Sequence, residues 1–122
     1  MGAIPTFGCV AIDCPDPVAL AAFYQRILDW GEPTIRNDGQ WATLVNPTGG
    51  PRLEFLWVPD YRAPEWPSAE KPQQAHLDLE VTDLEAAHER VLGLGAKLLD
   101  DSPETFRVYA DPAGHPFCLC AC

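Results

Sequence analysis

Basic residues are scarce in this sequence, where eight lysines and arginines stand against 18 aspartates and glutamates, a formal net charge of −10 at pH 7. Proteins that bind nucleic acids neutralise phosphates with Lys and Arg, so this balance argues against a nucleic-acid partner. No apolar run approaches the roughly 18 residues of a membrane-spanning helix, and the start lacks the basic and apolar stretches of a secretion signal. We therefore expect a cytoplasmic domain without a membrane partner, which binds a small molecule or a protein.

Paired cysteine motifs are also missing. The five cysteines contain no Cys-x-x-Cys pair, so the usual zinc-finger and thioredoxin spacings are absent. Their odd number and the missing secretion signal argue against a disulfide framework. Three of them alternate at the end of the sequence, and their redox state is left open: Cys118, Cys120 and Cys122.

The strongest pattern that is present is an internal repeat. Residues 9–31 and 76–95 each read as a strand, an N-cap signal, a helix with one apolar stripe, and a glycine. The two cap signals and the two terminating glycines are Asp16-Pro17, the capping box Thr82-x-x-Glu85, Gly31 and Gly95. With 122 residues, the two copies together are predicted to form a single domain.

The repeat continues beyond each helix. Residues 41–49 match residues 106–114 in character, because each is a β-prone run that ends in an Asx-Pro-x-Gly turn and is followed by another strand. Shorter strands are predicted before them. The sequence therefore predicts an α+β fold of two βαβββ repeats, forming a curved mixed sheet around a cleft with the helices on the outside. The predicted bounds within domain 1–122 are about 6–58 for repeat one, about 59–75 for a proline-rich linker and about 76–122 for repeat two.

Strand alternation sorts the residues of the first and last strand of each repeat. The apolar positions belong under the helices, and in repeat one this set includes Trp57. The opposite face, turned to the predicted cleft, carries the residues that can do chemistry: Cys9, Glu54, His76, Asp78 and Cys118. Pseudo-symmetry of the repeats places Cys9 opposite His76, and Glu54 opposite Cys118.

These patterns resemble the vicinal oxygen chelate superfamily, which groups glyoxalases, bleomycin-resistance proteins and extradiol dioxygenases. The match is to its small glyoxalase-like branch. The resemblance covers both repeats and rests on four segments: DCPDPVALAAFY at 13–24, HLDLEVTDLEAA at 76–87, LGA at 94–96 and DPAGHPFCL at 111–119. It implies the fold and leaves the substrate open.

The resemblance also implies positions for a metal site. In metal-using members the ligands come from the start of each first strand and from a carboxylate in each last strand, which here correspond to Cys9, Glu54, His76 and Cys118. Cys9 replaces the expected His or Gln, and Cys118 replaces the Glu that glyoxalase-type members use as ligand and base. The first interpretation is a decayed, metal-free site with the cysteines as small packing residues. The alternative is a bound divalent metal, and because thiolates favour zinc, this would be zinc before nickel or iron.

Proton transfer is the second chemistry predicted for this face. His76 would suit a proton-transfer role near neutral pH, and an unpaired, half-buried Glu54 would have a raised pKa and could act as a base. The alternatives are a merely hydrogen-bonded histidine and, for Glu54, a salt bridge with Arg52 or Arg107. The residues predicted to contact a ligand are Trp41, Trp66, Asp78 and Arg107.

Two function classes remain open. The first is an enzyme acting on a small oxygenated metabolite, of lyase or isomerase type rather than a dioxygenase, because Cys9 removes one of the two histidines that extradiol Fe(II) sites need. The second is a metal-free protein that sequesters an aromatic or drug-like molecule, as bleomycin-resistance proteins do. A complete ligand set favours the first, and missing ligands with a Trp-lined cleft favour the second. The resemblance further implies a homodimer.

Overall fold

The computed structural model describes residues 2–65 and 72–121, which fall into two compact units, Met1–Tyr61 (unit one) and Arg62–Cys122 (unit two). The boundary lies inside the predicted linker. Two residues singled out from the sequence, Trp66 and Cys122, lie outside the described residues. Neither helix in the described part of the chain has the length and apolar content needed to cross a bilayer.

Unit one has the predicted βαβββ order, with a short 3-10 turn between its second and third strands. Its elements are β1 (Cys9–Cys14), α1 (Pro17–Leu28), β2 (Thr34–Arg36), β3 (Trp41–Leu44) and β4 (Arg52–Trp57). The four strands form one mixed sheet in the order β1-β4-β3-β2, in which β1 runs parallel to β4 and the other neighbours are antiparallel.

Unit two repeats this arrangement. Its elements are β5 (Leu77–Glu80), α2 (Leu84–Gly93), β6 (Lys97–Asp100), β7 (Phe106–Ala110) and β8 (Pro116–Cys120). The sheet order is β5-β8-β7-β6, again with one parallel pair, β5 and β8. The α+β class and the two βαβββ repeats predicted from the sequence are therefore confirmed. Each repeat forms its own four-stranded sheet, and the cleft between the repeats stays a prediction.

The strand registers show which residues of the two units are equivalent. Leu53 pairs with Val10 in unit one, as Phe117 pairs with Leu77 in unit two. One step along, Glu54 pairs with Ala11 and Cys118 pairs with Asp78. Glu54 and Cys118 are therefore equivalent. Cys9 directly precedes Val10 and His76 directly precedes Leu77, so these two residues are equivalent as well. On the third strand the same count makes Trp41 equivalent to Phe106.

Stacked aromatic rings form the core of each unit. In unit one Tyr24 of α1 stacks on Phe55 of β4, with ring centroids 5.7 Å apart, and both are fully buried. In unit two Tyr109 of β7 stacks on Phe117 of β8 at 5.5 Å. Trp57 departs from the prediction of a core position, because it is 45% exposed as the last residue of β4.

The helix ends differ from the predicted signals at two places. Asp16 caps α1 as predicted, accepting a hydrogen bond from the Ala19 amide. In α2 the N-cap is Asp83 rather than Thr82, and its carboxylate accepts from Ala86 N. Helix α1 ends before the predicted Gly31, because Asp29 already takes the left-handed conformation (φ 55°) that Asp tolerates better than most residues.

The Asp-Pro-Ala-Gly turn that leads into β8 is held by Asp111. Its buried carboxylate accepts hydrogen bonds from the Ala113 amide at 2.9 Å and from the His115 amide at 3.0 Å. Gly114 closes the turn at φ 89°, where a Cβ atom would come 2.7 Å from Ala63 Cβ. Both features make the turn intolerant of change, since a left-handed φ favours glycine and buried amides need acceptors.

Asp111→Ala is expected to lower the free energy of unfolding by about 2 kcal/mol, because it leaves two amide donors in the turn without their acceptor. Chemical denaturation followed by circular dichroism measures the change. The matched control is Asp111→Asn, which keeps an acceptor oxygen. The equivalent turn of unit one already uses Asn46, whose side-chain oxygen accepts from Thr48 N. A cost for the Asn variant equal to that of the Ala variant would contradict this account of the turn.

Candidate functional site

The polar cluster of unit one is centred on the Glu54 carboxylate, which is 7% exposed. Trp41 Nε1 donates a hydrogen bond to Oε1 at 2.7 Å, and Arg52 Nε donates to Oε2 at 2.8 Å. The two donors reach it because Trp41 lies on the adjacent β3 and Arg52 lies two residues earlier on the same face of β4. Both oxygens of Glu54 are therefore engaged by positively polarised donors.

These partners set the ionisation of Glu54. Burial is the largest influence and on its own would raise the pKa of the carboxyl. The hydrogen bonds from Trp41, Arg52 and Cys9, together with the charge of Arg52, outweigh it and hold the pKa below its ordinary value of 4.5. Of the two alternatives for Glu54, the salt bridge with Arg52 is the one observed. The condition for a raised-pKa base, an unpaired carboxylate, is not met.

Arg107, the other predicted partner of Glu54 and a predicted ligand contact, takes a different role. It pairs with Leu119 in the sheet register, which puts it on the face of the unit-two sheet that α2 covers, and its guanidinium forms an ion pair with Glu85 of α2. That Arg107 contacts a ligand stays a prediction.

The polar cluster of unit two joins three side chains of different chemistry. His76 Nε2 lies 3.1 Å from Asp78 Oδ1, and one ligand atom from each of His76, Asp78 and Cys118 lies within 4.8 Å of the others. His76 and Asp78 are exposed, whereas Cys118 is buried. The arrangement follows from the strands, because His76 and Asp78 are two residues apart on one face and Asp78 pairs with Cys118 across β5 and β8.

A cavity of about 310 Å³ opens beside this cluster. Its polar lining comprises Gln73, His76 and Asp78, and its other walls comprise Phe106, Val108, Pro116, Cys118 and Cys120. Gln73 was not identified from the sequence, because it precedes β5 in a segment without a strand pattern. Its buried Oε1 has no hydrogen-bond partner within the part of the chain that is described.

The Cys118 thiol is protonated at neutral pH. Burial, followed by the negative charge of Asp78 and the influence of Cys120, raises the pKa of the thiol to about 11. Only the thiolate is an effective nucleophile, so this cysteine is not activated for covalent chemistry in the metal-free chain.

In the metal-free, folded chain we expect Cys118 to be alkylated far more slowly by iodoacetamide than in the chain unfolded in urea. At pH 8 a thiol with a pKa of about 11 is about one part in a thousand thiolate, and burial restricts the reagent further. Peptide mapping by mass spectrometry after EDTA treatment measures the rate at each cysteine, with half-buried Cys9 as the internal comparison. Equal rates for Cys118 in the folded and unfolded chains would refute the expectation.

The predicted four-residue set is thus distributed over the two units. Cys9 and Glu54 come together in unit one through a hydrogen bond, and His76 and Cys118 come together in unit two. Asp78, predicted only as a ligand contact, joins the second pair. The combination of all four residues in one site stays a prediction.

Two βαβββ units with polar residues at equivalent strand positions define a protein of the glyoxalase type. Residues 9–120 match the glyoxalase-like domain family, and the chain belongs to that family. The sequence matches no curated protein at a significant level.

Solved structures share the fold at low sequence identity. A glyoxalase/bleomycin resistance protein/dioxygenase family enzyme from Burkholderia phytofirmans is 18% identical with a TM-score of 0.71, covering 94% of this chain and 97% of that one. A glyoxalase-related enzyme from Fulvimarina pelagi is 21% identical with a TM-score of 0.68, covering 96% and 88%. A mutant of the fosfomycin resistance protein FosX from Listeria monocytogenes, complexed with Mn(II) and 1S,2S-dihydroxypropylphosphonic acid, is 15% identical with a TM-score of 0.70, covering 97% and 90%.

The residues of this chain suit a divalent metal in one unit and not in the other. His, carboxylate and thiol are the donors of zinc sites, and all three meet in the cluster of unit two. A thiol is a poor ligand for a hard ion such as Mn²⁺. In unit one both oxygens of Glu54 already accept charge-assisted hydrogen bonds and Arg52 neutralises the carboxylate, so a metal there would compete with an existing positive partner.

Proposed function

We propose that this chain binds a small oxygenated or aromatic molecule in the cavity of unit two. The observation that carries the proposal is the lining of that cavity, where the polar pair His76 and Asp78 faces a wall that includes Phe106 and Val108. Small-molecule sites combine apolar walls with a few polar groups that orient the ligand. The volume of about 310 Å³ equals that of about ten waters, enough for a molecule with one ring.

The polar pair is also equipped for proton transfer. With His76 neutral, Nε2 donates its proton to Asp78 Oδ1 at 3.1 Å, which fixes the tautomer and leaves Nδ1 as the proton acceptor. The carboxylate stabilises the imidazolium that forms when Nδ1 takes a proton. This chemistry belongs to the lyase or isomerase class, in which a proton next to a carbonyl group is removed and returned. A binding protein that sequesters its ligand is the alternative.

Catechol, an aromatic ring with two neighbouring oxygens, is a suitable first probe. The chain has three histidines, so side-chain NMR resolves His76 against two internal references, His88, which contacts Tyr109, and His115. We expect saturable shifts of the His76 signals in EDTA-treated protein and none at the references. Val108→Phe, which fills the cavity, should abolish the shifts. Absent shifts at His76, or equal shifts at all three histidines, would contradict the proposal.

Proton exchange separates the enzyme from the binding protein. If the chain transfers protons, the α-protons of hydroxyacetone will exchange with D₂O faster in its presence, and His76→Gln will remove the acceleration while Cys9→Ser, in unit one, will not. Catechol binding without any exchange of hydroxyacetone, or of dihydroxyacetone as a second carbonyl probe, would favour the sequestering protein. Proton NMR of the carbonyl compound follows the reaction directly.

A further inference from the structure

We propose that unit two alone holds a thiophilic divalent ion of the zinc type, through His76, Asp78 and Cys118, and that Glu54 is not one of its ligands. This ligand set differs from the four strand positions that the family resemblance implies. It includes Asp78 and leaves out Cys9 and Glu54, the two residues of unit one. The inference concerns the same cavity as the proposed function. It is tested without any small molecule, so either proposal can fail while the other stands.

The backbone already places the three donors together. His76 and Asp78 lie on the same face of one strand end, and Cys118 stands across from Asp78 on the parallel neighbour β8. Their ligand atoms lie within 4.8 Å of one another, with 3.1 Å between His76 Nε2 and Asp78 Oδ1. Bond lengths of about 2.0–2.3 Å in a tetrahedral zinc site put donors about 3.5 Å apart. To reach that spacing the ligand atoms must approach one another by about 1 Å. His76 and Asp78 can make this movement, because their side chains are exposed and can rotate.

The types of ligand atom determine which class of metal ion can bind. A nitrogen, a carboxylate oxygen and a sulfur are all accepted by zinc, and the sulfur disfavours magnesium, calcium and manganese. Three protein ligands leave a fourth position open, which is the pattern of catalytic rather than structural zinc sites. The cavity beside Cys118 offers room at that position. When bound, such an ion would act as a Lewis acid towards a ligand oxygen.

The contacts of Glu54 argue against its participation. Arg52 and Trp41 occupy its two oxygens at 2.8 and 2.7 Å, and the thiol of Cys9 also hydrogen-bonds to it. The guanidinium supplies the positive charge that a metal would otherwise bring to this carboxylate. Unit one therefore balances the charge of its carboxylate internally, while in unit two Asp78 contacts His76 and also hydrogen-bonds with Cys118, so the three candidate metal ligands already contact one another.

Cobalt(II) is the probe for the experiment, because thiolate ligation gives it a charge-transfer absorption that oxygen and nitrogen ligands do not. The full chain, cleared of metal with EDTA, is titrated with Co²⁺, and zinc affinity is then measured by competition with a chromophoric chelator. We expect one ion per chain and a thiolate band. Cys118→Ala should abolish the band, and Asp78→Asn and His76→Gln should each weaken zinc binding beyond the roughly 10–100-fold that loss of an outer-shell partner causes.

Three matched variants keep the inference falsifiable. Glu54→Gln and Cys9→Ser should leave zinc affinity and the cobalt band unchanged, as should Cys120→Ser, the neighbouring thiol of the same cavity. A loss with Glu54→Gln or Cys9→Ser equal to that with Asp78→Asn would overturn the proposal in favour of the four-position set. A thiolate band that survives Cys118→Ala, or no band in the parent chain, would also overturn it. If Cys118→Ala fails to fold, the exposed positions His76 and Asp78 carry the test.

Discussion

Replacement of Phe117 by alanine is expected to lower the free energy of unfolding by about 3–5 kcal/mol. Phe117 is fully buried on β8, the strand that pairs with both β5 and β7, and its ring stacks on Tyr109 with centroids 5.5 Å apart. Truncation removes the transfer free energy of the ring and leaves a cavity that the stacked partner cannot fill without moving. Urea denaturation followed by far-UV circular dichroism measures the loss.

Phe106→Ala is the matched control for this prediction. Phe106 lies on the neighbouring strand of the same sheet, but it is 37% exposed. Its truncation removes part of the same chemical group from a place where water already reaches it, so we expect a cost of about 1 kcal/mol. A cost for Phe117→Ala no greater than that for Phe106→Ala would mean that the stacked pair is not the centre of the unit-two core.

The repeat could be predicted because it is encoded in local signals. Two runs of alternating residues, two amphipathic helices and two Asx-Pro-x-Gly turns occur in the same order, and each depends on short-range sequence alone. The residues at which the helices begin and end could be predicted less well. Thr82 and Asp83 are adjacent and both are good N-cap residues, and the choice of Asp83 depends on the backbone at that point.

The sequence predicted which face of a strand each site residue occupies, but not which side chains contact one another. Alternation placed His76, Asp78 and Cys118 on one face correctly, because a side chain's face follows from its position in the strand. The sequence did not decide whether Arg52 or Arg107 forms the salt bridge with Glu54. The contact with Trp41 depends on the register between β3 and β4, where Trp41 pairs with Leu56, two residues beyond Glu54. Register arises from the whole sheet and its turns.

Equivalent positions in the two units carry side chains of different chemistry. In unit one the position holds an acid, Glu54, neutralised by Arg52 and Trp41. In unit two it holds a thiol, Cys118, beside a histidine and an aspartate. An acid whose two oxygens both accept hydrogen bonds from fixed partners contributes to stability, whereas metal-ligating side chains beside a cavity are available to a ligand. This contrast is why the proposed chemistry lies in unit two and the following stability prediction in unit one.

Glu54→Gln is expected to lower the free energy of unfolding by about 2–3 kcal/mol at neutral pH, because it weakens charge-assisted hydrogen bonds to a buried carboxylate. The glutamine amide also presents a donor where Arg52 and Trp41 both need an acceptor. Arg52→Met is the comparison variant. Arg52 is 46% exposed, so solvent screens its ion pair, and its loss should cost no more than about 1 kcal/mol.

The pH dependence of this difference identifies the carboxylate as its source. The pKa of Glu54 in the folded chain lies below the ordinary value of 4.5, so ionised Glu54 contributes fully to stability above pH 4.5 and loses that contribution as the pH falls through the lowered pKa. The gap in unfolding free energy between the parent chain and Glu54→Gln should therefore be constant above pH 4.5 and shrink below it. Denaturation curves recorded from neutral pH down into the acid range measure the gap. If it stays constant throughout that range, the ionised carboxylate is not what stabilises unit one, and the structural reason for excluding Glu54 from a metal site is lost with it.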